Sequence, residues 1–133
     1  MQLQFIRHNQ MLYTMDDAGQ VIKGYECRSD FEEGYNDEVP PLPRATLPNG
    51  NYWVKAEITH GKYGPAYGTF YITTGDPRAR DIHGGGSGLP FPYAPRQGWL
   101  PTYGCLRMQN EDGEEVSKWI EDNGNNMLLE VVD

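Results

Sequence analysis

"PNGNYWVKAEITHGKYGPAYGTFYITTG", residues 48–75, is the stretch whose reading decides the fold. A Pro-Asn-Gly turn opens "NGNYWVKAEI" as a strand, and "GTFYITTG" is its expected partner across "THGKYGPAY". Both runs are rich in aromatic and β-branched residues, which fit a pleated, half-buried surface. The same grammar extends along the chain, where 16 glycines and 10 prolines separate short alternating runs. Toward the N-terminus, "LQFIRHN" and "QMLYTM" read as short strands. "DDAG" then turns, with Gly19 able to take the left-handed conformation, and "QVIKGYEC" returns as the second arm of a hairpin. Residues 29–47, acidic and carrying three prolines, read as a long loop leading to the next strand.

One segment alone has helical spacing. "EDGEEVSKWIEDNG" places Val116, Trp119 and Ile120 on a single apolar stripe. Asp112 and Glu115 form an expected capping box, and Gly124 is the expected stop. "MLLEVVD" closes the chain as a strand. With no repeat, low-complexity segment or linker, residues 1–133 are expected to form a single, mainly β domain.

The charge of −8 argues against a nucleic-acid partner, because phosphate binding needs a basic footprint. No apolar run approaches the length of a membrane-spanning helix. The start, "MQLQFIRHNQMLYTMDDAG", lacks the basic and apolar regions of a signal peptide, so none is expected, and the location is left open. The only cysteines are Cys27 and Cys105, too few for a disulfide framework. No metal or cofactor is expected. His83 has no second ligand at a suitable spacing, and "HGGGSG" lacks the lysine of a phosphate loop.

The chemistry-bearing stretch is "DIHGGGSGLPFPYAPRQGWLPTYGCLRM", residues 81–108. An imidazole can take the proton of a thiol whose unperturbed pKa is roughly 8.5, so His83 and Cys105 have a reason to meet. The carbonyl of Gly84 is placed to accept the imidazole's second N–H and fix its tautomer. The N–H groups of Gly104 and Cys105 are candidates for an oxyanion hole. On a strand, Arg107 points to the same side as Cys105, where a cation can hold a thiolate or a substrate carboxylate. The competing reading is structural: a lone cysteine in a β-protein is more often a buried small hydrophobe. His8, His60 and Cys27 fit that plainer role. From the residues alone, both readings of the His83–Cys105 pair stand.

"IHGGG" followed by "TYGCLRMQNEDGEEV" resembles the signature of the L,D-transpeptidase catalytic-domain family. Thr102, Gly104, Cys105, Leu106, Arg107 and Met108 carry the match, with Asn110 and Asp112 at the step into a helix. "PNGNYWV" is similar to the strand preceding the family's active-site half. The resemblance is strong over residues 79–133 and weak over residues 1–78. It implies a twisted β-sandwich or barrel with one short helix after the cysteine. It also implies a Cys105 nucleophile that attacks a peptidoglycan stem peptide at an L-centre–D-alanine bond, forms a thioester and passes the acyl group to an amine or water. His83 would be the base, the Gly84 carbonyl its orienting acceptor, and Arg107 a supporting cation.

Two features depart from the family pattern. Tyr103 stands where many members carry a second histidine, and it would line or cover the groove. The His-to-Cys loop is also long, presenting Phe91, Tyr93, Arg96 and Trp99 as a lid or substrate wall, or as a segment packed on the barrel. The apparent lack of an export signal is similar to secreted effectors of the same fold. That would place the site of action in the periplasm or a target-cell wall and imply an immunity protein as a partner. Another cysteine hydrolase or amidase, and a wall-binding module without activity, are the alternatives.

Overall fold

The structure, a computed structural model, describes residues 1–30 and 46–133. Most of the loop expected over residues 29–47 lies outside the described residues. Eight strands and one helix follow in chain order: β1 (Gln2–Ile6), β2 (Met11–Met15), β3 (Val21–Arg28), β4 (Gly50–Ile58), β5 (Phe70–Thr73), β6 (Ile82–His83), β7 (Leu106–Met108), α1 (Asn110–Asp122) and β8 (Met127–Val132). The strands close into a barrel in the order β1-β2-β3-β7-β6-β5-β4-β8. Of the two architectures expected, sandwich or barrel, the barrel is the one formed.

The two hairpins read from the sequence are both present. β2 and β3 pair antiparallel across a turn where Gly19 has φ 78°. β4 and β5 pair antiparallel from Lys55↔Thr73 to Ile58↔Phe70. Closure comes from a pairing that no local pattern announces: β1 lies parallel to β8, with Gln2 opposite Leu128 and Ile6 opposite Val132. Gln4 also donates to Glu130 across this seam at 2.7 Å.

Alternation sets the core. Leu3 and Phe5 of β1, Leu12 of β2, Val54 of β4, Phe70 and Ile72 of β5, and Leu129 of β8 are fully buried. Each such aliphatic or aromatic side chain contributes about 1.5–3 kcal/mol by leaving water. Cys27 belongs to this core at 0% exposure, as its plainer reading implied. In α1, Val116 and Ile120 join the same core and Trp119 packs at its margin, so the apolar stripe is as expected.

The helix start is different from the expected capping box. Its N-cap is Gln109, which makes no side-chain cap bond, and the helix begins at Asn110. The long loop before Cys105 supplies acceptors for the orphan donors of the first turn. The Asn110 N–H donates to Gln97 Oε1 at 2.7 Å, and the Glu111 N–H to the Pro95 carbonyl at 2.9 Å. Asp112 instead accepts Arg96 at 3.4 Å, while Glu115 accepts Lys23 at 2.8 Å and the Tyr25 hydroxyl at 3.0 Å. A capping box requires both side chains to turn back on the helix, and here both have tertiary partners. Gly124, at φ 94°, ends the helix as expected.

Gly113 lies inside the helix because a Cβ there would overlap the ring of the fully buried Phe70. Gly113→Ala is therefore expected to destabilise the fold by about 1–3 kcal/mol despite alanine's better helix propensity. A urea unfolding midpoint at or above that of the parent chain would contradict this packing.

Candidate active site

Two short strands bring the candidate residues together. β6 and β7 pair parallel, with Ile82 opposite Leu106 and His83 opposite Arg107. The Leu106 N–H extends the ladder by one step, donating to the Asp81 carbonyl at 2.9 Å. Ile82 and Leu106 point into the core at 0% exposure. Period-two alternation therefore puts Asp81, His83, Cys105 and Arg107 on the opposite, outer face. Tyr71 of β5 is opposite His83 and shares that face.

His83 is buried, and its Nδ1 lies 2.9 Å from the Gly84 carbonyl. A carbonyl only accepts, so Nδ1 carries the proton and Nε2 presents a lone pair. The ring meets Tyr67 edge-on at 5.0 Å and lies nearly parallel to Tyr71, 10° apart at 6.1 Å. Burial lowers its pKa from 6.5 to about 4; the Gly84 bond opposes the shift and the Arg107 charge adds to it. His83 is thus a neutral imidazole at neutral pH.

Cys105 is a half-buried free thiol. Its sulfur accepts the Asp81 N–H at 3.3 Å and donates to the Ala79 carbonyl at 3.7 Å. Burial raises its pKa, and the Asp81 and Asp76 carboxylates raise it further. The Asp81 N–H and the Arg107 charge act the other way. Histidine and cysteine share one face, but the sulfur's hydrogen bonds run to the Asp81 and Ala79 backbone.

The burial of His83 predicts a pH-dependent stability. The unfolded chain takes up a proton near pH 6.5 while the native imidazole resists protonation down to about 4, so stability rises with pH through that window. About 3 kcal/mol is present above pH 6.5 and is lost as the pH falls through about 4. Urea titrations at pH 7 and pH 4 should show a larger loss for the parent chain than for His83→Gln. Equal losses would remove the buried imidazole as the cause.

Gly84 supplies the expected carbonyl acceptor, and crowding gives a second reason for glycine there. A Cβ at Gly84 would overlap Asn110 Oδ1, so glycine there permits close approach; the left-handed bend falls at Gly85, at φ 69°. Asn110 joins this region to the helix. It accepts the Thr69 N–H at 3.1 Å and donates to the Pro92 and Ala94 carbonyls, each at 2.8 Å. The Gly104 N–H is already taken by Thr102 Oγ1 at 3.2 Å, which removes one of the two expected oxyanion donors. The Cys105 N–H donates to no acceptor among the described residues.

Arg107 is on the expected face but is not free to grip a substrate. It is buried, with Nη1 donating to the Leu100 and Pro101 carbonyls at 2.6 and 3.2 Å, and Nη2 to the Ala66 carbonyl at 3.2 Å. Its guanidinium ties two loops over the outer face and keeps its charge near the sulfur. Trp99 lies under the Arg28 guanidinium, 4.2 Å away, and Tyr103 is half exposed. The long loop is pinned through Gln97, Gly98 and Arg96 to the β7–α1 junction, so of its expected forms the packed segment is the one present. Phe91 remains 73% exposed at its tip.

Beside His83, a groove of about 550 Å³ runs along β4 and β5, lined by Lys55, Glu57, Tyr63, Tyr67 and Tyr71 among others. Tyr67 and Tyr71 are the same rings that flank the imidazole. Sequence reasoning missed Asp81, Tyr67 and Tyr71. Asp81 alone had a local signal, two positions before His83 on one strand face. Among the described residues, no cluster of His, Cys, Asp and Glu is placed to hold a metal ion, and no helix is long and apolar enough to cross a membrane.

The barrel fold is found in known structures. The barrel superposes on an L,D-transpeptidase from Xylanimonas cellulosilytica with a TM-score of 0.57 at 17% identity, covering 98% of this chain and 59% of the other. It also superposes on an L,D-transpeptidase (Yku) from Stackebrandtia nassauensis with a TM-score of 0.62 at 17% identity, covering 99% of this chain and 55% of the other. No family model and no curated protein matches the sequence. The chain has the L,D-transpeptidase fold. It spans little more than half the length of those two chains.

Proposed function

We propose that the chain is a cysteine-dependent L,D-transpeptidase or L,D-carboxypeptidase acting on peptidoglycan stem peptides. The observation that carries this reading is the parallel β6–β7 pair, which sets a thiol and a tautomer-fixed imidazole on one face. The reaction requires the sulfur to turn from the Asp81 N–H toward His83, and rotation about the Cys105 Cα–Cβ bond between staggered positions is the motion that would do so.

In the proposed reaction, Nε2 of His83 takes the thiol proton as Sγ bonds to the stem-peptide carbonyl carbon before D-alanine. The carbonyl electrons move to oxygen, where the Cys105 N–H is the available donor. Collapse breaks the C–N bond, and the D-alanine amine leaves with the proton held by His83. A second stem peptide's amine, or water, then attacks the thioester and gives its proton to His83; as the C–S bond breaks, the sulfur takes that proton from His83, restoring the Cys105 thiol and the neutral imidazole. Neutral partners at rest suit this order, because the proton moves as the nucleophile attacks. Arg107 supports the site by holding the covering loops and placing positive charge near the sulfur.

Incubation with tetrapeptide muropeptides, followed by mass spectrometry, is the test. Release of D-alanine, with either cross-linked or shortened product, is expected. A carbapenem should leave one covalent adduct, on Cys105. If every muropeptide pool is unchanged and the thiol stays unacylated, the wall-binding alternative replaces this reading.

A further inference from the structure

We propose that Asp81 and Tyr71 form a positioning bracket that holds Cys105 and His83 in mutual register, a role that rests on the transpeptidase reading. Asp81 is buried, and its carboxylate accepts three donors: the Tyr71 hydroxyl at 2.7 Å, the Thr74 N–H at 2.9 Å and the Thr74 hydroxyl at 3.2 Å. Fixing that side chain fixes its main chain, whose N–H reaches Cys105 Sγ at 3.3 Å and whose carbonyl accepts Leu106. On the other side, the ring of Tyr71 lies nearly parallel to the imidazole. A single hydrogen bond, Tyr71 to Asp81, therefore joins the element that holds the sulfur to the element that sets the ring plane.

The charge on Asp81 has the wrong sign for activating the thiol. A carboxylate beside a thiol disfavours the thiolate, and that is its effect on Cys105. Among the described residues, the other charged and titratable groups that act on or are affected by the sulfur are Asp76, which is paired with Arg80, Arg107 on β7 and Tyr71 on β5, with His83 on the same face of β6. A group that costs acidity at the nucleophile yet gathers three protein donors is placed for geometry. Misplacing a reacting group by about 1 Å costs on the order of 100-fold in rate.

The test compares Asp81→Asn and Tyr71→Phe with the parent chain by two measurements. One is the pH midpoint of iodoacetamide alkylation at Cys105, read by intact mass; Cys27 is fully buried. The other is kcat and KM for D-alanine release from a tetrapeptide muropeptide. Asp81→Asn is expected to lower the alkylation midpoint, because a negative charge is gone, and yet to lower kcat about 10- to 100-fold with little change in KM. Tyr71→Phe, which keeps the ring, is expected to lower kcat about 10-fold without lowering the midpoint. Unfolding would also free the thiol from burial and lower its midpoint, so a urea unfolding midpoint is taken for each variant and the comparison is made where both are fully folded.

Unchanged or raised kcat in either variant overturns the bracket, as does a kcat loss in Asp81→Asn with an unmoved midpoint. If Asp81→Asn fails to fold, Tyr71→Phe decides by the same kcat criterion. A parent chain that alkylates at Cys105 but releases no D-alanine defeats the transpeptidase reading. The bracket, a role in that reaction, falls with it, whereas a parent chain that releases D-alanine while both variants keep its kcat overturns the bracket alone.

Discussion

Cys105→Ala is expected to abolish D-alanine release, with a loss on the order of 10⁵-fold or more in kcat, and to abolish carbapenem acylation entirely. Removing a covalent nucleophile leaves only binding and oxyanion stabilisation, which hold the residual rate roughly 10³- to 10⁴-fold above the uncatalysed reaction. The fold should tolerate the change. Cys105 is half-buried, and its sulfur makes two weak hydrogen bonds to backbone, so the variant's melting temperature should remain near the parent's. Intact-mass spectra before and after drug incubation check the chemistry, and a thermal melt checks the fold. A Cys105→Ala chain that still turns over muropeptide would move the nucleophile elsewhere.

The second large effect is at His83. His83→Ala is expected to lower kcat by on the order of 10²- to 10⁴-fold, the contribution of a positioned general base. His8→Ala and His60→Ala, both at exposed turn positions, should keep most of the activity. The pH profile adds a second check. The base works when neutral, and burial lowers His83 to about 4, so the acid limb of kcat/KM should fall near that pH instead of near 6.5. Three histidine variants with equal activity would remove His83 from the mechanism, and an acid limb at 6.5 would mean the imidazole is solvated during turnover.

The legible parts of this protein share one property: their partners are close in sequence. The β2–β3 and β4–β5 hairpins follow from turn residues between strand-like runs, and α1 follows from Val116, Trp119 and Ile120 on one stripe. The parallel β1–β8 seam joins the two ends of the described chain, and neither strand carries a mark of the other. β6 and β7 span two and three residues, too few for a period to be read. The expected capping box failed for a related reason. Asp112 and Glu115 had the right local spacing, but Arg96, Lys23 and Tyr25 drew them away once the chain had folded.

At the site, residue types and spacing alone made His83, Gly84 and Cys105 candidates for an imidazole, an orienting carbonyl and a thiol nucleophile, with a structural role for the pair left open. The predicted His83–Gly84 contact forms because it spans a single residue step. Everything that depends on which groups share a buried space was decided by the tertiary structure. It occupied the Gly104 N–H with Thr102, turned Arg107 from a free cation into a clamp on three carbonyls, and joined the Tyr71 hydroxyl to the Asp81 carboxylate. The physical reason is that a side chain's chemical capability is local, whereas its hydrogen-bond partners and its dielectric surroundings are set by segments distant in sequence, whose register only the closed barrel fixes.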